Sequence, residues 1–216
     1  TNWNDPRIAE INPGVAFPDQ KITPVFRSDG SGTTSVFSEY MSKVNESWKA
    51  SIGEGKSLKF PVGVAAKGNP GVAGVIAETV GSIGYLGSEY ALALNIPSAL
   101  LQNSAGNFVK ADTESISAAA NIEMPDDTRA IITNSSAPNA YPISTMTWII
   151  VYQEQAYNNR SDAKAKALVE LLKFVTGKDG QDIAVKSHYA PLSESTKQKV
   201  DKIIGSITYN GAPLAQ

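Results

Sequence analysis

A three-part pattern recurs along this sequence: a short apolar run, a glycine-rich turn, then a segment with helical spacing. Residues Ile22 to Phe26 (ITPVF) have strand character, with Pro24 arguing for an edge position or a bulge. A turn rich in Gly and Ser follows at once, and from Thr33 to Val44 the residues Val36, Phe37, Tyr40, Met41 and Val44 recur at spacings of three and four, which predicts an amphipathic helix. Phe60 to Val64 reads as a second strand, after which a Gly/Pro/Asn loop opens a helix over Gly71 to Glu78. Ser82 to Leu86 reads as a third strand, and Ser88 to Leu94 as a helix stopped before Pro97. Alternation of this kind predicts an α/β fold, a mainly parallel sheet with helices on its faces.

The flanking regions carry less pattern. The first twenty residues hold three prolines and several Asn and Asp, which favour turns. Thr147 to Tyr152 (TWIIVY) reads as another strand. Beyond it, Asp162 to Val175 is the clearest helix, with Ala163, Ala167, Leu168, Leu171, Leu172 and Val175 along one predicted face and Gly177 as its C-cap. The aromatic residues, Trp3, Trp48 and Trp148 among them, are scattered along the chain, which fits core packing better than a sugar-stacking surface.

Composition then excludes several functions. Nineteen Lys and Arg against 21 Asp and Glu give a net charge of −2, so no basic field exists to hold nucleic acid through counterion release. The longest weakly charged stretch, Val64 to Leu86, is broken by Lys67, Glu78 and glycines, short of the roughly 20 apolar residues that a membrane helix needs. With no cysteine and one histidine, His188, disulfides, thiolate sites and the usual zinc sets are out of reach. No metal and no cofactor are expected.

The chemistry concentrates in Arg27-Ser28-Asp29-Gly30-Ser31-Gly32-Thr33-Thr34, at the junction of strand and helix. A helix N-terminus presents unpaired N–H groups and a partial positive charge, so it accepts an anion without a full counter-charge. Gly30 and Gly32 permit close backbone approach, Ser31, Thr33 and Thr34 add hydroxyls, and Arg27 adds a planar fork of donors suited to an oxyanion. Asp29 is placed to hold that guanidinium. The same residues also fit a plainer role, in which Ser or Thr caps the helix and Arg27 makes a surface ion pair; the pattern alone leaves both open. Lys67 to Gly71 (KGNPG) reads as a turn and helix start in preference to a second phosphate loop, because it lacks the required spacing. His188 reads as a partly buried packing residue in preference to a base for a Ser31 nucleophile. Asn45, Asn134 and Asn159 begin formal glycosylation sequons that are read as chance matches.

The run ITPVFRSDGSGTT resembles the second-lobe binding segment of the periplasmic phosphate-binding proteins that feed phosphate ABC transporters. WNDPRIAEINPGVAFPDQKI before it, and SEYMSKVNESWK, FPVGVAAKGNPGVAGVI, GSIGYLGSEYA and YPISTMTWIIVY after it, are similar to successive segments of that family in the same order. The resemblance implies a type II periplasmic-binding-protein-like fold of two lobes, with residues 1–140 as the second lobe, which carries the oxyanion-binding wall, and 141–216 as the C-terminal part of the first. It implies that Arg27 grips inorganic phosphate, that Asp29 orients Arg27, and that Ser31, Gly32 and Thr33 donate from the helix start.

The family pattern also has an N-terminal segment that supplies most of the first lobe and the acidic acceptor favouring protonated phosphate over sulfate. Nothing in Thr1 to Lys21 matches it, so the first lobe is expected to be incomplete in this chain and the site to be half present. The expected partners are phosphate, the membrane subunits of an ABC transporter and a complementary N-terminal polypeptide. The expected location is periplasmic or otherwise extracytoplasmic, and the expected activity is binding without catalysis. A receptor for sulfate or molybdate and a Ser31-dependent hydrolase are the alternatives.

Overall fold

In the computed structural model, which describes residues 1–214, the turn-rich N-terminal stretch contains one short helix, α1 (Pro6–Glu10). Turns are predicted there, yet Asp5 starts a helix: its carboxylate accepts the Arg7 N–H, and Pro6 occupies the first helical position, where its missing N–H costs nothing. The alternating pattern then appears in order. Strand β1 (Thr23–Arg27) leads into α2 (Gly32–Val44) and α3 (Glu46–Ser51), β2 (Val64–Ala66) into α4 (Gly68–Glu78), and β3 (Ser82–Gly84) into α5 (Ser88–Ala93). The three strands form a parallel sheet in the order β2-β1-β3, with Val25 opposite Val64 on one side and Gly84 on the other.

Strand β1 is therefore central, not the edge strand that Pro24 suggests. The backbone parity explains why this is tolerated. Thr23 donates its N–H to Gly81 on the β3 side, so the position of the missing Pro24 N–H faces the β2 side, where the ladder begins only at Val64, opposite Val25. The second strand is also shorter and later than Phe60 to Val64. Gly63 sits at φ +115°, and a Cβ there would lie 2.4 Å from the Pro24 carbonyl oxygen, so the chain approaches β1 in a conformation that only glycine adopts readily. Val25, Ala66 and Val72 form the core beneath this sheet, with Val75, Ile76 and Leu86 packed against it.

Helix α2 exists as predicted, but its buried stripe is Thr34, Ser38 and Ser42, with Phe37 and Met41 half-buried and Val44 exposed. Small hydroxyl residues let the helix approach its neighbours closely: the Ser38 hydroxyl accepts the Gly55 N–H. The predicted scatter of aromatics also resolves into a group, in which Phe26 stacks on Phe60 at 4.4 Å, Phe37 on Tyr85 at 4.3 Å, and Trp48 meets Phe37 edge-on.

The chain divides into two compact units, Thr1–Ser98 and Ala99–Gln216. The second contains the hairpin β4 (Leu101–Gln102) and β5 (Phe108–Val109), α6 (Thr113–Ala120), α7 (Asp162–Thr176), α8 (Lys178–Lys186), α9 (Glu194–Gly205) and the hairpin β6 (Thr208–Tyr209) and β7 (Ala212–Pro213). Its cores are Val169, Leu172, Ile204 and Ile207 around α7 and α9, and Ala119, Ile132 and Ala140 around α6. Tyr141, the start of the expected returning segment, lies inside this unit.

Two predictions in this unit need correction. Thr147 to Tyr152 forms no strand: among the described residues no neighbour forms a ladder with it, and only the single bridge Glu154–Thr208 follows. Val151 packs on the α7 and α9 core while Ile150 is 93% exposed, so the β-forming side chains have one supported face and no lateral partner. Helix α7 buries Ala165, Val169, Leu172 and Thr176, a stripe rotated from the predicted one, and leaves Ala163, Ala167 and Leu171 exposed. Both stripes are apolar at helical spacing, so periodicity alone does not choose between them. Gly177 does follow the helix as its C-cap.

Candidate functional site

The parallel strands β1, β2 and β3 end on the same side of their sheet, at Arg27, Ala66 and Gly84, and a helix starts just beyond each. This is where open α/β sheets hold ligands, since chain reversal leaves a crevice at the carboxyl ends of strands. Arg27, the last residue of β1, projects into a network built by the starts of α2 and α4. Its Nε and Nη2 donate to the two carboxylate oxygens of Asp29 at 2.8 and 2.6 Å, and its Nη1 donates to the side-chain oxygen of Asn69 at 2.8 Å. The Arg27 side chain is 11% exposed and that of Asp29 33%.

Asp29 is held from a second direction, because the Gly68 N–H donates to its Oδ1 at 3.0 Å. The Arg27 fork first, and the Gly68 N–H after it, hold the Asp29 carboxyl well below the usual carboxylate range. Its hydrogen bond to Asp29 raises the Arg27 guanidinium in turn, against the opposing effect of burial. The pair is ionised throughout the physiological range and is close to neutral as a whole. The pair thus offers no net charge, and what the arrangement can present to a ligand is its remaining N–H donors and the helix starts.

Each predicted site residue has a definite place. Ser31 is the N-cap of α2: its hydroxyl accepts the Thr34 N–H at 3.2 Å, and the residue is buried. The capping role left open in the sequence thus applies to Ser31, whose hydroxyl hydrogen is not consumed by it. Gly32 is exposed at the first helical position, and a Cβ there would meet nothing within 4 Å. Thr33 is half-buried, with its hydroxyl 3.4 Å from the Asn69 oxygen, a long contact that a better acceptor can displace. Arg27 and Thr33 are thus joined through Asn69 and Asp29 through Arg27, while Ser31 and Gly32 form the helix start beside them.

Two residues of this network were not singled out by the sequence reasoning. Asn69 lies in the KGNPG turn, which is indeed a helix start but also reaches Arg27. Tyr85, just after β3, lies close by: its hydroxyl is 2.8 Å from the Thr34 hydroxyl and accepts the Arg27 backbone N–H at 3.4 Å. For Asn69 a signal exists in the KGNPG loop, which has the composition of a phosphate loop but not its spacing; for Tyr85 the only signal is its place just after a strand. His188 is elsewhere, in the second unit, exposed after α8 in a left-handed turn at φ +66°, not partly buried as expected. Among the described residues no group of His, Cys, Asp and Glu is arranged to hold a metal ion, and no helix is long and apolar enough to cross a membrane.

Residues 1–179 match the model of a family described as the PBP superfamily domain. The chain is 39% identical over 204 residues to the phosphate-binding protein PstS of Xylella fastidiosa strain Temecula1, covering 93% of this chain and 55% of that protein. It is 37% identical over 201 residues to PstS of Pasteurella multocida, covering 92% and 57%, and 36% identical over 218 residues to PstS of Methanocaldococcus jannaschii, covering 93% and 55%. The chain thus spans a little over half the length of these curated relatives. A solved structure of a high affinity periplasmic phosphate-binding protein, PfluDING, bound with phosphate, is similar with a TM-score of 0.60 and 18% identity, covering 84% of this chain and 57% of that one. At that identity the likeness is one of fold.

Proposed function

The chain belongs to the PBP superfamily, and from that premise we propose that it binds inorganic phosphate, with Arg27 and the start of α2 as the gripping wall. The observation that carries this reading is the state of Arg27. A guanidinium has five N–H donors; three are spent on Asp29 and Asn69, and the rest are one on each terminal nitrogen. One donor is left on Nη1 and one on Nη2, both available to oxygens of a tetrahedral oxyanion. Gly32 and Thr33 add backbone N–H groups of the first turn of α2, which have no intrahelical acceptor. That the curated relatives are named phosphate-binding proteins supports phosphate over sulfate or molybdate.

In this reading the protein is a solute-binding component that delivers phosphate to the membrane subunits of an ABC transporter in an extracytoplasmic compartment. Residues 1–140 belong to the lobe bearing the Arg27 wall and 141–216 to the returning part of the other lobe, as the order of similar segments implies. Binding is favoured over hydrolysis because the Ser31 hydroxyl is buried as a helix cap and, among the described residues, no base is hydrogen-bonded to it. Calorimetry of phosphate binding tests the proposal. Because a hydrogen bond to a charged group contributes about 1.5–3 kcal/mol, Arg27→Ala should weaken binding at least about tenfold, and Arg27→Lys should recover only part of the loss. Unchanged affinity in Arg27→Ala would remove the residue from the site.

A further inference from the structure

Two consecutive residues at the start of α4 grip the two members of the Arg27–Asp29 pair separately. The Gly68 N–H holds Asp29 at 3.0 Å, and the Asn69 side-chain oxygen holds Arg27 Nη1 at 2.8 Å. Arg27 and Asp29 lie two residues apart on one segment, so their mutual fork fixes the plane of the guanidinium against that segment but not against the rest of the unit. The second anchor, from a different helix, removes that freedom. Gly68 is at φ +71°, a left-handed conformation at a helix start, where a side chain is disfavoured. The α4 start has no side-chain cap from Lys67 and no acidic residue in its first turn, so the carboxylate that meets its first N–H is the one Asp29 supplies from the neighbouring segment.

From these contacts we infer that Asn69 is a positioning residue for the anion, the one that holds the free edge of the Arg27 guanidinium in place. The inference rests on the proposed phosphate site. Asn69 uses an oxygen for this task, and a neutral amide does it without adding negative charge beside the ligand. Aspartate in its place would hold Arg27 equally well and repel the anion, whereas alanine would release Arg27 and repel nothing. The second contact on the same oxygen, from the Thr33 hydroxyl at 3.4 Å, ties the starts of α2 and α4 together at the residue that faces both.

The test combines nitrogen-15 NMR of the arginine side chains with phosphate titration of the whole chain, the Arg27 signals being assigned by their loss in Arg27→Lys. The wild-type chain should show slow rotation of the Arg27 terminal nitrogens. Asn69→Ala should speed that rotation and weaken phosphate binding by up to about tenfold, the scale of one charge-assisted hydrogen bond. Asn69→Asp should restore slow rotation but not affinity, a separation that a merely structural role in α4 would not produce. Unaltered Arg27 rotation in Asn69→Ala, or full affinity in Asn69→Asp, overturns the inference. If phosphate leaves the wild-type Arg27 signals unmoved while Asn69→Ala still frees the guanidinium, the phosphate reading fails and the positioning of Arg27 by Asn69 stands.

Discussion

The guanidinium of Arg27 cannot act alone, because an unpinned arginine would spend its donors on water and pay its rotamer entropy on every binding event. Asp29 limits that freedom, and its depressed ionisation sets how far the arrangement survives acid. A carboxyl whose folded value is lowered contributes stability above its ordinary range and loses it as pH falls through the folded value, here below that range. Asp29 should therefore stay charged, and the Arg27 fork intact, through mildly acidic solution. Asp29→Asn should cost less phosphate affinity than Arg27→Ala, and a double-mutant cycle of the two should be non-additive because they share one network. Strict additivity would mean that the two residues act independently.

The elements are held by interactions that can be perturbed one at a time. Gly63 lets the chain enter β2 past the Pro24 carbonyl, so Gly63→Ala should destabilise the first unit by at least about 1–3 kcal/mol through backbone strain, measured by chemical denaturation. In the second unit Glu154 accepts from the N–H groups of Ala156, Asn210 and Gly211 and from the Thr208 hydroxyl, fastening the β6–β7 hairpin. Those donors, the Ala156 N–H foremost, lower its carboxyl to about 2, so the fastening is fully present above the ordinary glutamate value and lost as pH falls through about 2. Glu154→Gln should speed amide exchange at Asn210 and Gly211 while leaving phosphate affinity intact; unaltered exchange would show that the hairpin is held otherwise. The strand–turn–helix units were legible in the sequence because glycines and helical spacing punctuate them locally. Which stripe of α2 or α7 is buried was not, since small hydroxyl residues and a second apolar stripe compete with the obvious one. Nor was the lack of a ladder beside Thr147 to Tyr152, because pairing depends on residues distant in sequence. At the site, Arg27, Asp29, Ser31, Gly32 and Thr33 could be read from one contiguous motif. Asn69 and Tyr85 could not, because only the parallel register of β1, β2 and β3 brings their segments to the end of β1.

For the molecule as a whole, a net charge of −2 offers no long-range pull on an anion, and the Arg27–Asp29 pair is nearly neutral. On the proposed reading, capture is a short-range event of donors and helix starts, and the rate of phosphate association should not fall steeply as salt rises; a steep fall would indicate electrostatic steering. The exposed apolar run Ile149, Ile150 and Tyr152 in the second unit predicts concentration-dependent association, which Ile150→Lys should reduce in sedimentation experiments. The residues assigned to the proposed Arg27 wall lie in the first unit, so this substitution should leave their contribution to phosphate affinity unaltered. Whether phosphate sits on the free edge of Arg27 beside the start of α2 is decided by a crystal structure of the chain with inorganic phosphate. Phosphate oxygens are expected on Nη1 and Nη2 of Arg27 and on the N–H groups of Gly32 and Thr33, with Asp29 and Asn69 still holding the guanidinium from the sides. Phosphate bound elsewhere, with the Arg27 edge left to water, would contradict the proposed site.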